Sequence, residues 1–320
     1  NFANRISVDL DNKYPYKLGL SATPVFGTDE EKTQNLLSWF GGQVVDLPIE
    51  KALGKYLVNY EYHPIFVQAT DEDEKKFAKA TALMLSAIDP VRKIIIDEEK
   101  FTLGYRGRLR AISMAEEKHE RISEIFSHIQ DKDHTIIYCS DGKSCFEGTP
   151  RVNATEEIRH LEYILHLINT SCLSSVGSGK ASKFTATEDI QERMQLIDSF
   201  NKGYIEYLVA IRCLDEGINI PSIKSALILS SNDNYREFVQ RRGRILRLYP
   251  GKEKAHIYDV IVLPSILNKA FAQIEFRRYF EYSRLALNKD ILVDKLERLM
   301  SDYDLSYDDI KFNNDYVYGG

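Results

Sequence analysis

Thr135-Ile-Ile-Tyr-Cys139 mixes β-branched, aromatic and apolar residues with no polar position alternating between them. A strand of that kind has no wet face, so both of its sides must be covered. On either side of it the spacing changes to that of helices. Residues 116–130 upstream predict one amphipathic helix, and residues 154–169 downstream predict another with Ile158, Leu161, Leu165 and Ile168 facing inward. The alternation continues with a helix over 188–200 that turns Ile190, Met194 and Ile197 inward, then strands at Tyr207–Ile211, Ala226–Leu229 and Ile257–Val262. Short apolar strands separated by amphipathic helices predict an α/β fold with a parallel sheet covered on both faces.

The flanks are read in the same way. Leu18-Gly-Leu-Ser-Ala-Thr-Pro24 reads as the end of a buried strand with Ser21 and Thr23 at its rim, where ligands sit in open α/β sheets. Thr28 and Glu31 then make a capping box for a helix carrying Leu36, Leu37 and Phe40, stopped by Gly41-Gly42. Val44–Leu47 and Tyr56–Gln68 read as extended. Thr70 opens a further helix whose apolar face is Phe77, Thr81, Met84, Leu85 and Ile88. Arg106, Arg108 and Arg110 read as a solvated basic patch, with contact to a phosphate backbone as the alternative. Two more helices, near 266–287 and 289–302, follow Pro264, and the tail beyond Ser306 is rich in Asp, Asn and Tyr.

Composition narrows the function classes. The chain has 320 residues, 43% hydrophobic and 28% charged, which suits a globular protein of about two domains. No apolar run approaches the roughly 18 residues of a membrane span, so no membrane partner is expected. A net charge of −6 argues against nucleic-acid binding by bulk charge alone but leaves room for a local basic groove. Cys139, Cys145, Cys172 and Cys213 form no CxxC pair and have no histidine at zinc-finger spacing. His160 and His166 would not share a helix face. A reduced cytoplasmic protein without a disulfide or a metal is therefore expected. The start at Asn1, with neither a Met nor a signal peptide, reads as a cut inside a longer protein.

Gln240-Arg-Arg-Gly-Arg-Ile-Leu-Arg247 holds the chemistry. If a helix starts there, Gln240, Arg244 and Arg247 stand at offsets of zero, four and seven on one face. Guanidinium forks match phosphate oxygens in pairs, and Gly243 between them would let an anion approach the backbone. Two loops with the look of a Walker A motif fail. Gly142-Lys143-Ser144 has Ile137 at the first glycine position, and Gly179-Lys180 has Ser174 there and Ala181 in place of the magnesium-binding hydroxyl. No Asp-Glu-x-His or Asp-Glu-x-Asp run follows an apolar strand either. The sequence thus reads as holding no complete ATP site.

Taken in order, these pieces resemble the later motifs of superfamily-2 helicases, from about Leu18 to Pro264. Ser21-Ala-Thr23 is similar to motif III, and Thr135–Cys139 to the strand of motif IV. Arg193 through Phe200-Asn-Lys-Gly203 to Leu208-Val-Ala is similar to the helix and strand before motif V. Leu214-Asp-Glu-Gly-Ile-Asn-Ile-Pro221 resembles motif V, and Gln240–Arg247 resembles motif VI. The forms of motifs V and VI look most like the branch of XPB-type repair translocases and restriction-enzyme motor subunits.

The resemblance implies the C-terminal motor half of an ATP-dependent DNA helicase or translocase. Residues 1–47 would be the end of a first RecA-like domain, 48–265 a second, complete RecA-like domain, and 266–320 a helical extension with a tail. Walker A and DEAH motifs would lie in the missing N-terminal RecA-like domain of the same protein. ATP and Mg2+ would therefore be cofactors of the full-length protein, not bound tightly by this part alone. By the same resemblance Arg244 and Arg247 reach the γ-phosphate across the cleft, one of them as arginine finger, and Gln240 joins that network. Gly217 lets the motif V loop close on the nucleotide. Asn219 stands where the family often has an Asp that accepts a bond from the ribose. Ser21 and Thr23 link hydrolysis to the nucleic-acid face, and Ser140 and Arg212 are expected to touch the nucleic acid. Ile211 replaces the usual phosphate-binding Thr, which is why Arg212 is considered. The competing reading is a non-catalytic RecA-like module that binds nucleic acid or protein.

Overall fold

The computed structural model describes residues 16–19, 21, 30–42, 45, 47–130, 132–144, 146, 157–170, 180–185, 188–211, 219–231 and 234–311. Its strands are β1 (Asn59–Gln68), β2 (Thr135–Tyr138), β3 (Lys143–Ser144), β4 (Ile158–Arg159), β5 (Ala181–Phe184), β6 (Tyr207–Ala210), β7 (Ser225–Ile228) and β8 (Lys254–Leu263). Six of them form one sheet in the order β1-β8-β7-β2-β6-β5, every pair parallel. β3 and β4 form a separate antiparallel ribbon. Every residue of β2, β6 and β7 is buried, as their largely apolar sequence requires.

The helices are α1 (Glu30–Trp39), α2 (Ile49–Ala52), α3 (Asp71–Leu85), α4 (Glu98–Ser113), α5 (Glu116–Glu120), α6 (Ile122–Ser127) and α7 (His160–Asn169). After them come α8 (Ile190–Asn201), α9 (Tyr235–Ile245), α10 (Lys269–Ser283), α11 (Lys289–Asp302) and α12 (Tyr307–Ile310). They cover both faces of the sheet. On one face Tyr60, Tyr62, Ile257 and Ile261 pack with Phe238 of α9, Phe276 of α10 and Leu296 of α11. On the other, Ile65, Val67, Tyr258 and Val260 pack with Phe126 of α6 and Ile164 of α7. The architecture is the parallel α/β sheet expected from the alternating pattern, in the RecA-like form that the resemblance implies.

Buried ion pairs tie the helices after Pro264 into this core. Arg278 of α10 donates to Asp259 of β8 at 3.0 and 3.2 Å and to Glu275 at 2.6 and 3.0 Å. Tyr62 of β1 donates its hydroxyl to the same Asp259, 2.9 Å away, and Glu275 accepts from the Val262 amide at 2.6 Å. Elsewhere α3 and α4 meet backbone to backbone: a Cβ on Gly104 would lie 2.4 Å from the Met84 nitrogen, so only glycine fits there.

The structure corrects several expectations. Residues 16–19 and 21 lie in no strand and Leu18 is 84% exposed, because no described strand runs alongside to pair with them. The expected helix over 154–169 begins only at His160, since Ile158 and Arg159 are already paired with Ser144 and Lys143. In α8, Ile190 and Met194 face solvent at 77% and 66% exposure. The helical period holds there but the phase is turned, as Phe200 is the buried residue with Leu196 and Ile197 partly covered beside it. Leu85 of α3 is likewise exposed, while the Thr70 capping box forms with Asp73 as its partner.

Candidate functional site

Helix α9 runs from Tyr235 to Ile245, so Gln240–Arg247 closes a helix instead of opening one. Its N-terminus is capped by Asn234, whose side chain accepts from the Arg236 amide at 2.9 Å. Gln240, Gly243 and Arg244 are half-buried on its last turns. Arg247 lies two residues past the end, where its backbone bridges to Leu57 ahead of β1. The expected single helix face therefore holds for Gln240 and Arg244 but not for Arg247. A Cβ on Gly243 would meet nothing within 4 Å, so no packing within the described residues demands glycine there. A glycine so placed costs helix stability of roughly 0.5–1 kcal/mol and leaves the backbone open to a ligand.

Arg247 Nη1 donates to the Asn219 side-chain oxygen, which joins the Gln240–Arg247 stretch to the Leu214–Pro221 stretch. Burial, and then the charge of Arg244, hold the Arg247 guanidinium below its ordinary value. Two cations brought together at a half-covered surface favour an anion between or beside them. Gly217 of that upstream stretch and Arg212 just before it lie outside the described residues, as does Thr23. Ser21 is described and exposed.

The two other arginines of the stretch face inward. Arg242 is fully buried and donates to the Glu281 backbone oxygen at 2.6 Å and to its carboxylate at 2.8 Å, locking α9 to α10. Arg241 lies over the Tyr138 ring, 4.6 Å from its centre, and donates to Ser231 Oγ at 3.1 Å and to Glu237 at 3.1 Å. It thereby closes one wall of a cleft of about 350 Å³ at the C-terminal ends of β2 and β7. The facing wall is α4, which presents Arg106 and Arg110 one turn apart, and Ser140, Asp141, Ser230 and Ser231 line the floor. Arg110 also donates to the Lys143 carbonyl at 3.3 Å. Arg108, between the two, packs on Phe77 instead. Ser140 is thus brought to the cleft, where it is buried and its hydroxyl accepts from the Gly142 amide at 3.0 Å. The sequence reading missed Arg241, Ser230 and Ser231. Their signal was available, since the end of a parallel strand is where such sheets bind ligands.

Two histidines support the cleft from behind. The Ser140 amide donates to His160 Nδ1 at 3.2 Å, and the His119 ring stands edge-on to His160 with centroids 4.9 Å apart. Burial, with Lys118 close by, lowers His119 to about 4, and burial followed by His119 and Lys118 pushes His160 well below its usual value. The folded chain keeps both rings neutral while the unfolded chain protonates them near 6.5, so stability is lost as pH falls from about 6.5 toward 4. His119 alone should contribute roughly 3 kcal/mol to that loss. Urea midpoints at neutral pH and near pH 4.5 measure it, and His119→Phe should reduce the pH dependence. An equally steep acid loss in that variant would contradict the assignment.

Residues 117–249 match the model of the helicase conserved C-terminal domain. The DNA 3'-5' translocase XPB2 of Sulfurisphaera tokodaii is 24% identical over 249 residues, 73% of this chain and 50% of that protein. The UvrABC system protein B of Fusobacterium nucleatum is 29% identical over 136 residues, 40% of this chain and 20% of that protein. The chain thus spans half the length or less of these relatives. Among solved structures, the Sulfolobus solfataricus SWI2/SNF2 ATPase core in complex with dsDNA aligns with 90% of this chain and 57% of its own, at 14% identity and a TM-score of 0.46. No described helix is long and apolar enough to cross a membrane. These matches support a superfamily-2 helicase C-terminal domain over residues 117–249.

Proposed function

We propose that this chain is the second motor domain of an ATP-dependent DNA translocase or helicase of the XPB-like branch, working against a preceding RecA-like domain of the same protein. The observation that carries this reading is the bond between Arg247 and Asn219, which brings two sequence-distant stretches into contact. Arg244, Arg247 and Gln240 supply donors of the kind a triphosphate needs, and Gly243 leaves room for it, so the residues present fit the nucleotide. ATP with Mg2+ supplies the phosphoryl group whose transfer drives movement. In this reading Arg247 stabilises charge on that group, Asn219 orients Arg247, and Arg244 holds the phosphate chain. Hydrolysis needs the preceding domain, and this chain alone is inactive. Ser21 and Thr23 are assigned to coupling, and Gly217 and Asn219 to the nucleotide side.

Nucleic acid then runs across the C-terminal rim of the sheet, along the cleft walled by Arg106 and Arg110. The XPB2 relative is named as a DNA translocase, which supports DNA over RNA. Ser140 and Arg212 belong to the same track. Binding of a fluorescent duplex at several salt concentrations tests this. Arg106→Ala and Arg110→Ala should each weaken binding and reduce the salt slope by about 0.9 for every phosphate no longer neutralised. An unchanged slope in both would remove the cleft from the DNA path. DNA binding without ATP turnover by the whole protein would select the non-catalytic module instead.

A further inference from the structure

On the sheet face opposite α9, near the N-terminal ends of β1 and β8, three side chains converge. Glu61 and His63 sit two residues apart on β1, and His256 stands on β8 directly opposite Glu61 in the parallel register. His63 Nε2 lies 3.1 Å from His256 Nδ1, and one Glu61 carboxylate oxygen lies 3.7 and 3.6 Å from those same two nitrogens. The other Glu61 oxygen accepts from Lys254 Nζ at 2.7 Å, which fixes the rotation of the carboxylate. His63 is stacked between neighbours, its ring 4.7 Å from that of Tyr258 and 5.3 Å from that of His256.

These separations suit a metal ion better than a surface ion pair. With bonds of roughly 2.0–2.2 Å, the ligand atoms on one face of a tetrahedron are about 3.3–3.6 Å apart. The three observed edges bracket that range, and the three donor atoms lie close to one another. Two imidazoles with one carboxylate form a donor set that favours zinc-class ions over calcium or magnesium. The Lys254 bond is the kind of outer partner that orients a ligating carboxylate. The side chains of Glu61 and His63 are 28% and 25% exposed, so water can reach a fourth position.

We propose that Glu61, His63 and His256 form a binding site for one zinc-class divalent ion, which clips edge strand β1 to β8. The site stands on the other face of the sheet from Arg247 and at the other end of the strands from the Ser140 cleft, so its role is structural.

Cobalt(II), as a spectroscopic stand-in for zinc, added to the metal-free chain tests this. One equivalent should bind, with absorption bands typical of nitrogen and oxygen donors and no thiolate charge-transfer band. The ion should raise the thermal midpoint of the wild type. His63→Ala and His256→Ala should each weaken binding by more than the about 10–100-fold that losing an outer partner costs. Glu61→Gln should weaken it less. If His256→Ala does not fold, the partly exposed His63→Gln and X-ray absorption of the zinc-loaded wild type decide. Absence of binding, sulfur ligation, or binding unchanged in His63→Gln would each overturn the proposal.

Discussion

Arg247→Ala, made in the full-length protein, is expected to lower ATP turnover by about 10³–10⁵-fold while leaving ATP binding largely intact. The size follows from the role proposed for the residue. A guanidinium fixed before the reaction starts stabilises charge that grows only in the transition state, and so acts on turnover more than on binding. Its position is held from two sides. The backbone of Arg247 bridges to Leu57, and its side chain donates to Asn219. Asn219→Ala should therefore reduce turnover by less than Arg247→Ala, because the charge remains while its orientation loosens. Arg247→Lys should rescue little, since an ammonium cannot reproduce the planar fork. Steady-state hydrolysis with saturating DNA, set beside nucleotide binding measured separately, checks this. Unchanged turnover in Arg247→Ala would remove the arginine-finger assignment.

Arg278→Met should destabilise the fold by about 3–5 kcal/mol, because it leaves two carboxylates buried without their cation. Asp259 and Glu275 are both fully buried, and Arg278 bonds to each. Burial already pushes the Asp259 carboxyl above its usual range even with Arg278 present. Combining Arg278→Met with Asp259→Asn and Glu275→Gln should recover part of the loss, since no unpaired charge then remains. Urea midpoints of the single and triple variants give the comparison. A loss below about 1 kcal/mol in the single variant would mean that the network is dispensable. The effect would not stop at stability. Arg242 of α9 is bonded to Glu281 of the same helix α10, so loosening α10 should loosen the segment that presents Arg244 and Arg247.

The sequence by itself determined the sheet. Thr135–Tyr138, Tyr207–Ala210 and Ser225–Ile228 have too little polar content to face water, and burial on both sides leaves a parallel sheet between helices as the fitting arrangement. It also determined the order of the motifs and the residue types of Gln240–Arg247. Helix phase was less legible. Ile190 and Met194 have the right spacing for a core face, but nothing in spacing says which side of α8 meets the sheet edge.

Only the tertiary structure decided which of four neighbouring arginines turn outward. Arg241 and Arg242 are as basic as Arg244 and Arg247, yet Ser231 and Glu281 hold them inside. Those partners come from other elements, and Glu281 lies in the helices after Pro264 that motif reading treats as an appendage. The same holds for Glu61, His63 and His256, where two side chains at strand spacing meet a third from β8 only through parallel pairing. Periodicity records which residues avoid water along one element. It carries no information on which distant polar atom stands opposite, and that pairing is what makes a charge part of the core.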